Sequence, residues 1–277
     1  MFVSAALGCY KLTETIMLIK RKSIEKTESS RPARKNARYA PITLSEHNGV
    51  RYLHFGTEWI QGAMRLRKPD SLELEYAQQM MAWMLFVDQP TRIVQLGLGA
   101  AALTKFCRKW YPQSHVTAVE LNPSVIEVCH SMFKLPADDD RLSVLEMDAM
   151  DFVLDSANHD QIDVLQIDLY DATARGPMLD SAEFYQACAA CLKKNGMVTV
   201  NLFGDHPSFL KNLKAMQFAF HTVLCLPEVH QGNVVAFAFK SQPLQDFAEL
   251  YQRAAVIKDI TKLPAKSWVD GLKSWDK

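Results

Sequence analysis

Apolar and polar positions follow two rhythms between residues 91 and 257. Short apolar runs predict seven strands, which cover 92–97, 115–120, 142–147, 162–168, 197–203, 221–226 and 233–239. Segments whose apolar residues recur at helical spacing predict six helices, over 101–110, 123–133, 149–156, 181–193, 207–218 and 244–257. Strands separated by helices run parallel, and the short turn between the last two strands makes one of them antiparallel. The pattern therefore predicts an α/β fold with a seven-stranded doubly wound sheet.

The residues before this repeat show other patterns. From Lys20 to Arg38, basic residues are interspersed with serines, a proline and few apolar residues, and this composition predicts a disordered basic extension over residues 1–40. Residues 41–68 place strand formers around the turn pair Asn48-Gly49, which predicts a small antiparallel β-domain. Apolar residues at helical spacing then predict a helix over 72–87. We expect three parts: the extension over 1–40, the β-domain over 41–68 and a Rossmann-like domain over 69–277.

The first strand of the predicted sheet ends in a glycine loop, and the second ends in an acid. Gly97 and Gly99 close the first strand, and Glu120 closes the second about 20 residues later. Glycines here let a nucleoside approach the backbone, and the acid can accept both ribose hydroxyl protons. A dinucleotide fingerprint has a third glycine, where this chain has Ala102, so a sulfonium nucleoside without a pyrophosphate suits the loop better than NAD. The predicted nucleoside site comprises Gly97, Gly99, Glu120 and the adjoining Leu121.

Acids also close the third and fourth strands. The third ends in Asp148-Ala149, and the fourth ends in Asp168 with Asp171 close behind. Ligands of open α/β sheets bind at the carboxyl ends of the strands, so these residues should join the glycine loop at one edge. Asp148 suits the amino group of adenine, or it caps the next helix. Asp168 and Asp171 would hold a cationic amine and take a proton from it, although Asp171 also suits a simple loop turn. The loop that follows is a candidate lid.

Composition narrows the choice of partner. The 277 residues carry a formal net charge of zero, which gives no reason to expect nucleic acid as a partner. No apolar run is long enough to cross a bilayer, and the first residues lack the basic start of a signal peptide, so we expect a cytoplasmic protein that does not bind a membrane. The spacing of Cys188 and Cys191 lacks a second ligand pair for zinc, so both are predicted as core positions of a helix and no metal is expected.

Residues 41 to 240 resemble the spermidine synthase (polyamine aminopropyltransferase) family, in particular its divergent bacterial spermidine-synthase-like branch. The resemblance rests on the following pieces in chain order: a β-element before a helix with Glu73 and Tyr76, the glycine loop, Glu120, Arg141-Leu142, Asp148-Ala149, Asp163 to Asp171, Gly176-Pro177, Glu183 to Tyr185, Asn195-Gly196, Asn201 to Phe203, and Gly232 to Phe237. It implies the seven-stranded fold of class I S-adenosylmethionine-dependent methyltransferases, with 69–277 as the catalytic domain.

The resemblance also implies a reaction and roles for the residues. The donor would be decarboxylated S-adenosylmethionine, and a small-molecule amine of polyamine type would attack it and release methylthioadenosine. Asp168 would be the catalytic base, with Tyr76 and Asp171 positioning the amine. Glu120 would hold the ribose and Asp148 the adenine. The family also suggests a homodimer.

The chain departs from the family where cationic ends are recognised. The family loop reads Gly-Gly-Gly-Asp-Gly, and its Asp binds the amino group of the donor, whereas this chain has Ala100. After Tyr76 the family has a polar residue and Glu, whereas this chain has Ala77 and Gln78. Three functions therefore stay open: aminopropyl transfer, methyl transfer from intact S-adenosylmethionine, and nucleoside binding without catalysis.

Overall fold

The computed structural model describes residues 39–170, 179–229 and 232–273. A small antiparallel sheet comes first, and it consists of β1 (Ile42–His47), β2 (Val50–Phe55) and β3 (Gly62–Arg65) in that order. The turn pair Asn48-Gly49 joins β1 to β2, and both of its residues have positive φ, as the tight hairpin turn requires. Residues 1–38 of the predicted extension over 1–40 lie outside the described residues.

The large sheet has seven strands in the order β6-β5-β4-β7-β8-β10-β9. Its strands are β4 (Arg92–Leu96), β5 (His115–Glu120), β6 (Leu142–Glu146), β7 (Ile162–Ile167), β8 (Leu192–Phe203), β9 (Thr222–Cys225) and β10 (Asn233–Phe239). Strands β4 to β8 pair in parallel, whereas β10 runs antiparallel to both β8 and β9. The predicted doubly wound sheet with one antiparallel strand is confirmed.

Eight α-helices connect and cover the strands in the described part of the chain. They are α1 (Glu75–Gln79), α2 (Ala102–Trp110), α3 (Pro123–Met132), α4 (Ala149–Leu154), α5 (Ala182–Cys191), α6 (Phe209–Ala219), α7 (Phe247–Thr261) and α8 (Ala265–Lys273). Two 3-10 helices cover Met80–Leu85 and Ser156–Asn158. None of the described helices is both long enough and apolar enough to span a bilayer.

Both faces of the large sheet are buried, which explains its apolar runs. Alternate residues of β4 point to opposite faces, so Ile93 lies in one apolar cluster and Val94 in the other. The small sheet shares the first cluster, because Leu53 and Met64 pack there with the 3-10 helix Met80–Leu85. The division of the chain at residues 40 and 68 stays a prediction.

Two elements differ from their predicted form, and the terminal segment has no predicted form. The helix predicted over 72–87 is a short α-helix followed by the 3-10 helix Met80–Leu85, all of whose residues are buried. Helical spacing cannot indicate a change of helix type within a fully apolar stretch. Strand β8 begins at Leu192 rather than at the predicted residue 197. Asn195-Gly196 forms an irregularity within the strand and not a turn before it. The terminal segment, for which the sequence favours no arrangement, forms α8 and buries Trp268 in the core.

Candidate functional site

A cleft of about 810 Å³ opens at the carboxyl ends of the parallel strands, beneath the small sheet. Every site residue predicted from the sequence lines it, as far as the structure describes them: Tyr76, Gly97, Gly99, Glu120, Leu121, Asp148, Ala149 and Asp168. Asp171 and residues 172–178 of the predicted lid lie outside the described residues. The roles assigned to these residues stay predictions.

The glycine loop is shaped by close contacts with its neighbours. Gly97 has a φ of +92°, and a Cβ built there would lie 2.2 Å from the carbonyl oxygen of Asp168. Any side chain at this position would therefore collide with the backbone that directly follows β7. Gly99 has a φ of +52°, and a Cβ there would lie 3.1 Å from the carbonyl oxygen of Gln61. The loop thus packs between the Asp168 backbone and the segment leading into β3.

Backbone donors hold Glu120 in place at the end of β5. Its carboxylate accepts hydrogen bonds from the N–H of Leu98 at 3.1 Å and from the N–H of Asn122 at 2.9 Å. Burial raises the pKa of Glu120 above the usual value, while these backbone hydrogen bonds act in the opposite direction. The carboxylate is therefore fixed beside the glycine loop, where the sequence places a ribose-binding group.

Asp148 also relies on a backbone donor. Its Oδ1 accepts a hydrogen bond from the N–H of Met150 at 2.7 Å, so it forms the N-cap of α4. The capping function that the sequence left open is present, and the residue lines the cleft as well. Leu121 is 41% exposed and lies on the cleft wall, where an apolar face suits a purine ring.

Side chains from three other elements surround Asp168. Its Oδ1 accepts a hydrogen bond from Nδ2 of Asn201 at 2.9 Å, and Oδ1 of Asn201 accepts one from Nδ2 of Asn233 at 3.0 Å. The hydroxyl of Tyr76 also lies near the Asp168 carboxylate. Burial raises the pKa of Asp168, and the hydrogen bonds from Asn201 and Tyr76 counteract part of that rise. The geometry yields a buried carboxylate with an increased affinity for a proton.

Two tyrosines flank this carboxylate as neutral groups. Burial, followed by the nearby charge of Asp168, raises the pKa of Tyr76 well above its usual value. The same two causes raise the pKa of Tyr170, whose hydroxyl donates to the backbone oxygen of Asn201 at 3.2 Å. Both phenols therefore stay protonated and uncharged at any working pH, and they can donate hydrogen bonds.

Three residues of the site have no role in the site predicted from the sequence: Asn201, Asn233 and Tyr170. Each lines the cleft, and each takes part in the hydrogen bonds around Asp168. Asn201 lies near the end of β8 and Asn233 at the start of β10, which is antiparallel and therefore begins at the same edge. Reading the carboxyl ends of the parallel strands alone could find the first residue but not the second, since the second needs the antiparallel pairing.

Three residues at which the chain departs from the family pattern lie outside the cleft. Ala100 is 2% exposed, and a Cβ built on Gly62 would come within 2.7 Å of the Ala100 Cβ. Ala77 belongs to the apolar core, and Nε2 of Gln78 donates to the backbone oxygen of Leu72 at 3.0 Å. The small sheet therefore closes over position 100, and an acid there would have to displace β3 to be accommodated.

The charged groups that line the described part of the cleft are all acidic. They are Glu58, Glu120, Asp148 and Asp168, and no Lys, Arg or His is found among the described lining residues. Such a cleft favours cationic ligands, because a carboxylate ligand would find no positive side chain with which to pair. Within the described residues, no group of three or more His, Cys, Asp or Glu side chains is arranged to hold a metal ion.

Comparison with known proteins identifies the family. The family model for the spermine/spermidine synthase domain matches residues 73–248, which is more than half of the chain. The chain belongs to the spermine/spermidine synthase family. A polyamine aminopropyltransferase of Neisseria meningitidis serogroup A is 29% identical over 247 residues, which cover 88% of this chain and 92% of that protein. The spermine/spermidine synthase relationship supports a transferase, and aminopropyl transfer in general.

Solved structures agree on the fold. A probable spermidine synthase from Corynebacterium glutamicum has a TM-score of 0.66 at 20% identity, covering 79% of this chain and 90% of that one. Human methyltransferase-like protein 13, solved in complex with SAH, has a TM-score of 0.61 at 22% identity, covering 68% of this chain and 93% of that one. At these identities the likeness concerns the fold alone. The predicted class I methyltransferase type of sheet, preceded by a small antiparallel element, is confirmed for this spermine/spermidine synthase family member.

Proposed function

We propose that this protein transfers an aminopropyl group from decarboxylated S-adenosylmethionine to a small-molecule amine of polyamine type. The observation that carries the proposal is a buried carboxylate, Asp168, in a cleft whose described charged lining residues are all acids. Both co-substrates are cationic and suit that lining. Intact S-adenosylmethionine adds a carboxylate, for which the described lining offers no cationic side chain.

The cleft divides into two halves by the strands that build it. We call the ends of β4, β5 and β6, with Gly97, Glu120 and Asp148, the donor half. The surroundings of Asp168, with Tyr76, Asn201 and Asn233, form the acceptor half. In the donor half Glu120 would accept hydrogen bonds from both ribose hydroxyls, and Asp148 would accept one from the adenine amino group.

Aminopropyl transfer requires a base and a correctly oriented amine rather than a covalent intermediate. The acceptor binds as an ammonium ion and gives a proton to Asp168, whose raised pKa suits a proton acceptor working near neutral pH. The nitrogen lone pair then attacks the aminopropyl carbon bonded to sulfur. The C–N bond forms as the C–S bond breaks, and the bonding electrons return to sulfur, so methylthioadenosine leaves as a neutral thioether. Tyr76 orients the Asp168 carboxylate, and by the family resemblance Asp171 would position the amine.

One observation favours a second candidate, methyl transfer from intact S-adenosylmethionine. The acid that the family uses for the donor's amino group is replaced by Ala100. This replacement removes a negative charge that would repel the carboxylate of the intact donor. We rank methyl transfer second because the charged groups that line the described cleft are acidic.

A ligand comparison separates the two candidates. The melting temperature is measured with equal concentrations of decarboxylated S-adenosylmethionine, intact S-adenosylmethionine and methylthioadenosine. A ligand that binds the folded state raises it, and the order of the shifts gives the order of the affinities. We expect the largest shift with the decarboxylated form, followed by methylthioadenosine release when amines of different length are added. A larger shift with the intact form, and methyl transfer to an amine, would instead establish the second candidate. The homodimer suggested by the family can be checked by light scattering on the same samples.

A further inference from the structure

A chain of buried amides crosses the core behind the acceptor half. Gln166 on β7 and Gln95 on β4 are neighbours in the parallel register, and they are 0% and 1% exposed. Nε2 of Gln95 donates to Oε1 of Gln166 at 3.0 Å, and Oγ1 of Thr104 donates to Oε1 of Gln95 at 2.5 Å. Nε2 of Gln166 donates to the backbone oxygen of Met80 at 3.2 Å. Four elements are thereby connected inside an apolar core.

The carbonyl of Met80 sets the direction of this chain. Because a carbonyl can only accept, the NH₂ group of Gln166 must face Met80, and its Oε1 must face Gln95. The NH₂ group of Gln95 then faces Gln166, and its oxygen faces the hydroxyl of Thr104. Each amide oxygen and nitrogen has a partner, so the network has one arrangement that satisfies all of its members.

The network begins and ends next to residues of the cleft. Gln166 lies on β7, two residues before Asp168, which directly follows the strand. Met80 is the C-cap of α1, the helix that carries Tyr76. Two connections therefore link α1 to β7 and the residue that follows it. One is the hydrogen bond from Gln166 to the Met80 carbonyl in the core, and the other is the proximity of the Tyr76 hydroxyl to the Asp168 carboxylate in the cleft.

We propose that Gln166 is a positioning residue that holds the Tyr76 helix against β7, the strand that leads into Asp168. The proposal rests on the proposed function, because Tyr76 and Asp168 are assigned to the acceptor. Without the amide, the Met80 carbonyl loses its side-chain partner, and α1 is free to shift away from β7. The acceptor half is then disturbed, while Glu120 and Asp148, which backbone N–H groups hold, keep their geometry.

The first test replaces Gln166 by Met, which keeps the length of the side chain and removes both polar atoms. We expect kcat/KM for the amine to fall roughly tenfold or more, since small displacements of positioning groups are costly. The affinity for methylthioadenosine should stay within a factor of about two. Val164→Ala is the matched control. Val164 is 0% exposed and lies in the core on the same face of β7 as Gln166, but its apolar side chain forms no hydrogen bond to α1. Equal losses of amine kcat/KM in the two variants would overturn the proposal.

Gln166→Glu provides a rescue that depends on protonation. A protonated Glu can donate to Met80 and accept from Gln95, whereas an ionised one cannot donate. The titratable neighbour from α2 is Cys107, whose thiol donates to Gln166 at 3.6 Å and whose pKa is raised by burial, so it stays neutral. We expect the activity of this variant, relative to the wild type at each pH, to be highest at low pH and to fall as the pH rises. A ratio that does not change with pH would contradict the proposal.

Hydrogen exchange tests the tie without any substrate. Gln166→Met should increase exchange selectively in residues 75–85, whereas Val164→Ala should not. If the wild type fails to transfer an aminopropyl group while this selective increase is present, the proposed function is wrong and the tie between α1 and β7 stands. An increase spread evenly over the sheet would overturn the tie itself.

Discussion

The donor and acceptor halves of the cleft are held in place by different kinds of contact. In the donor half, backbone N–H groups bind Glu120 and Asp148, and in the case of Asp148 the donor is only two residues away. In the acceptor half, Asp168 is held by the side chain of Asn201, which is 33 residues distant and is itself held by Asn233. Tyr76 approaches from a separate helix.

This difference determines which substitutions should matter. Backbone donors survive most changes of neighbouring side chains, so the donor half should tolerate substitution around its acids. The acceptor half depends on amides and a phenol that any substitution removes, so changes one step away from Asp168 should be felt there. We therefore expect that substitutions can disable the two halves separately. Nucleoside affinity measures the state of the donor half, and amine kinetics measure that of the acceptor half.

Asp168→Asn should have the largest effect on turnover. The amide cannot accept the ammonium proton, and loss of a general base lowers the rate by roughly 10²- to 10⁴-fold. Methylthioadenosine affinity should remain, because the donor half is untouched. The pKa of Asp168 is raised in the folded state, so its stabilising contribution is greatest at low pH and is lost as the pH rises through that value. We therefore expect the variant to melt at a higher temperature than the wild type at neutral pH. A variant that turns over normally would exclude Asp168 as the base.

Gly97→Ala should damage both halves at once. The new Cβ would lie 2.2 Å from the Asp168 carbonyl oxygen, at a φ of +92°. Backbone strain and overpacking together should lower the free energy of unfolding by about 3 kcal/mol. Gly49→Ala is the control, because Gly49 has a similar φ of +75° but no atom within 4 Å of the added Cβ. Gly49→Ala should lower the free energy of unfolding, measured in urea, by only about 1 kcal/mol. Equal losses in the two variants would mean that crowding at Asp168 is unimportant.

Glu120→Gln should affect only the donor half. Hydrogen bonds to a charged group contribute about 1.5 to 3 kcal/mol each, so the Kd for methylthioadenosine should rise roughly tenfold to a hundredfold. The KM for the amine at saturating donor should change little, because no described contact links Glu120 to Asp168. Calorimetry with methylthioadenosine and initial rates at varied amine give the two numbers. A larger change in amine KM than in nucleoside Kd would show that the halves are coupled.

The same difference explains how much the sequence could predict. The sheet, the glycine loop and the acids at the strand ends follow from periodicity and spacing, because each depends on contacts that recur in every fold of this type. The partners of Asp168 depend on where β10 begins relative to β8, and that register is a property of the folded sheet. Gln166 and Gln95 interrupt apolar runs, and the sequence gives no indication that the two amides face each other.

Asn201→Leu should have the smallest of these effects, and it tests the acceptor half most directly. The hydrogen bond from Asn201 lowers the pKa of Asp168, so removing it should raise that pKa further. Because the base works in its ionised form, the acid limb of the profile of kcat/KM against pH should move to higher pH. Activity should fall most at low pH and least at high pH.

Thr199→Val supplies the control for Asn201→Leu on the same strand. Thr199 is buried, and its hydroxyl has no hydrogen-bond partner within the described structure, so the change removes a polar atom without touching Asp168. We expect an unchanged acid limb and a melting temperature equal to or slightly above that of the wild type, since an unpaired buried hydroxyl is unfavourable. If the acid limb stays in place in Asn201→Leu as well, the amide does not control the protonation of Asp168. The acceptor half would then be held by Tyr76 alone, and the contrast between the halves would rest on that one contact.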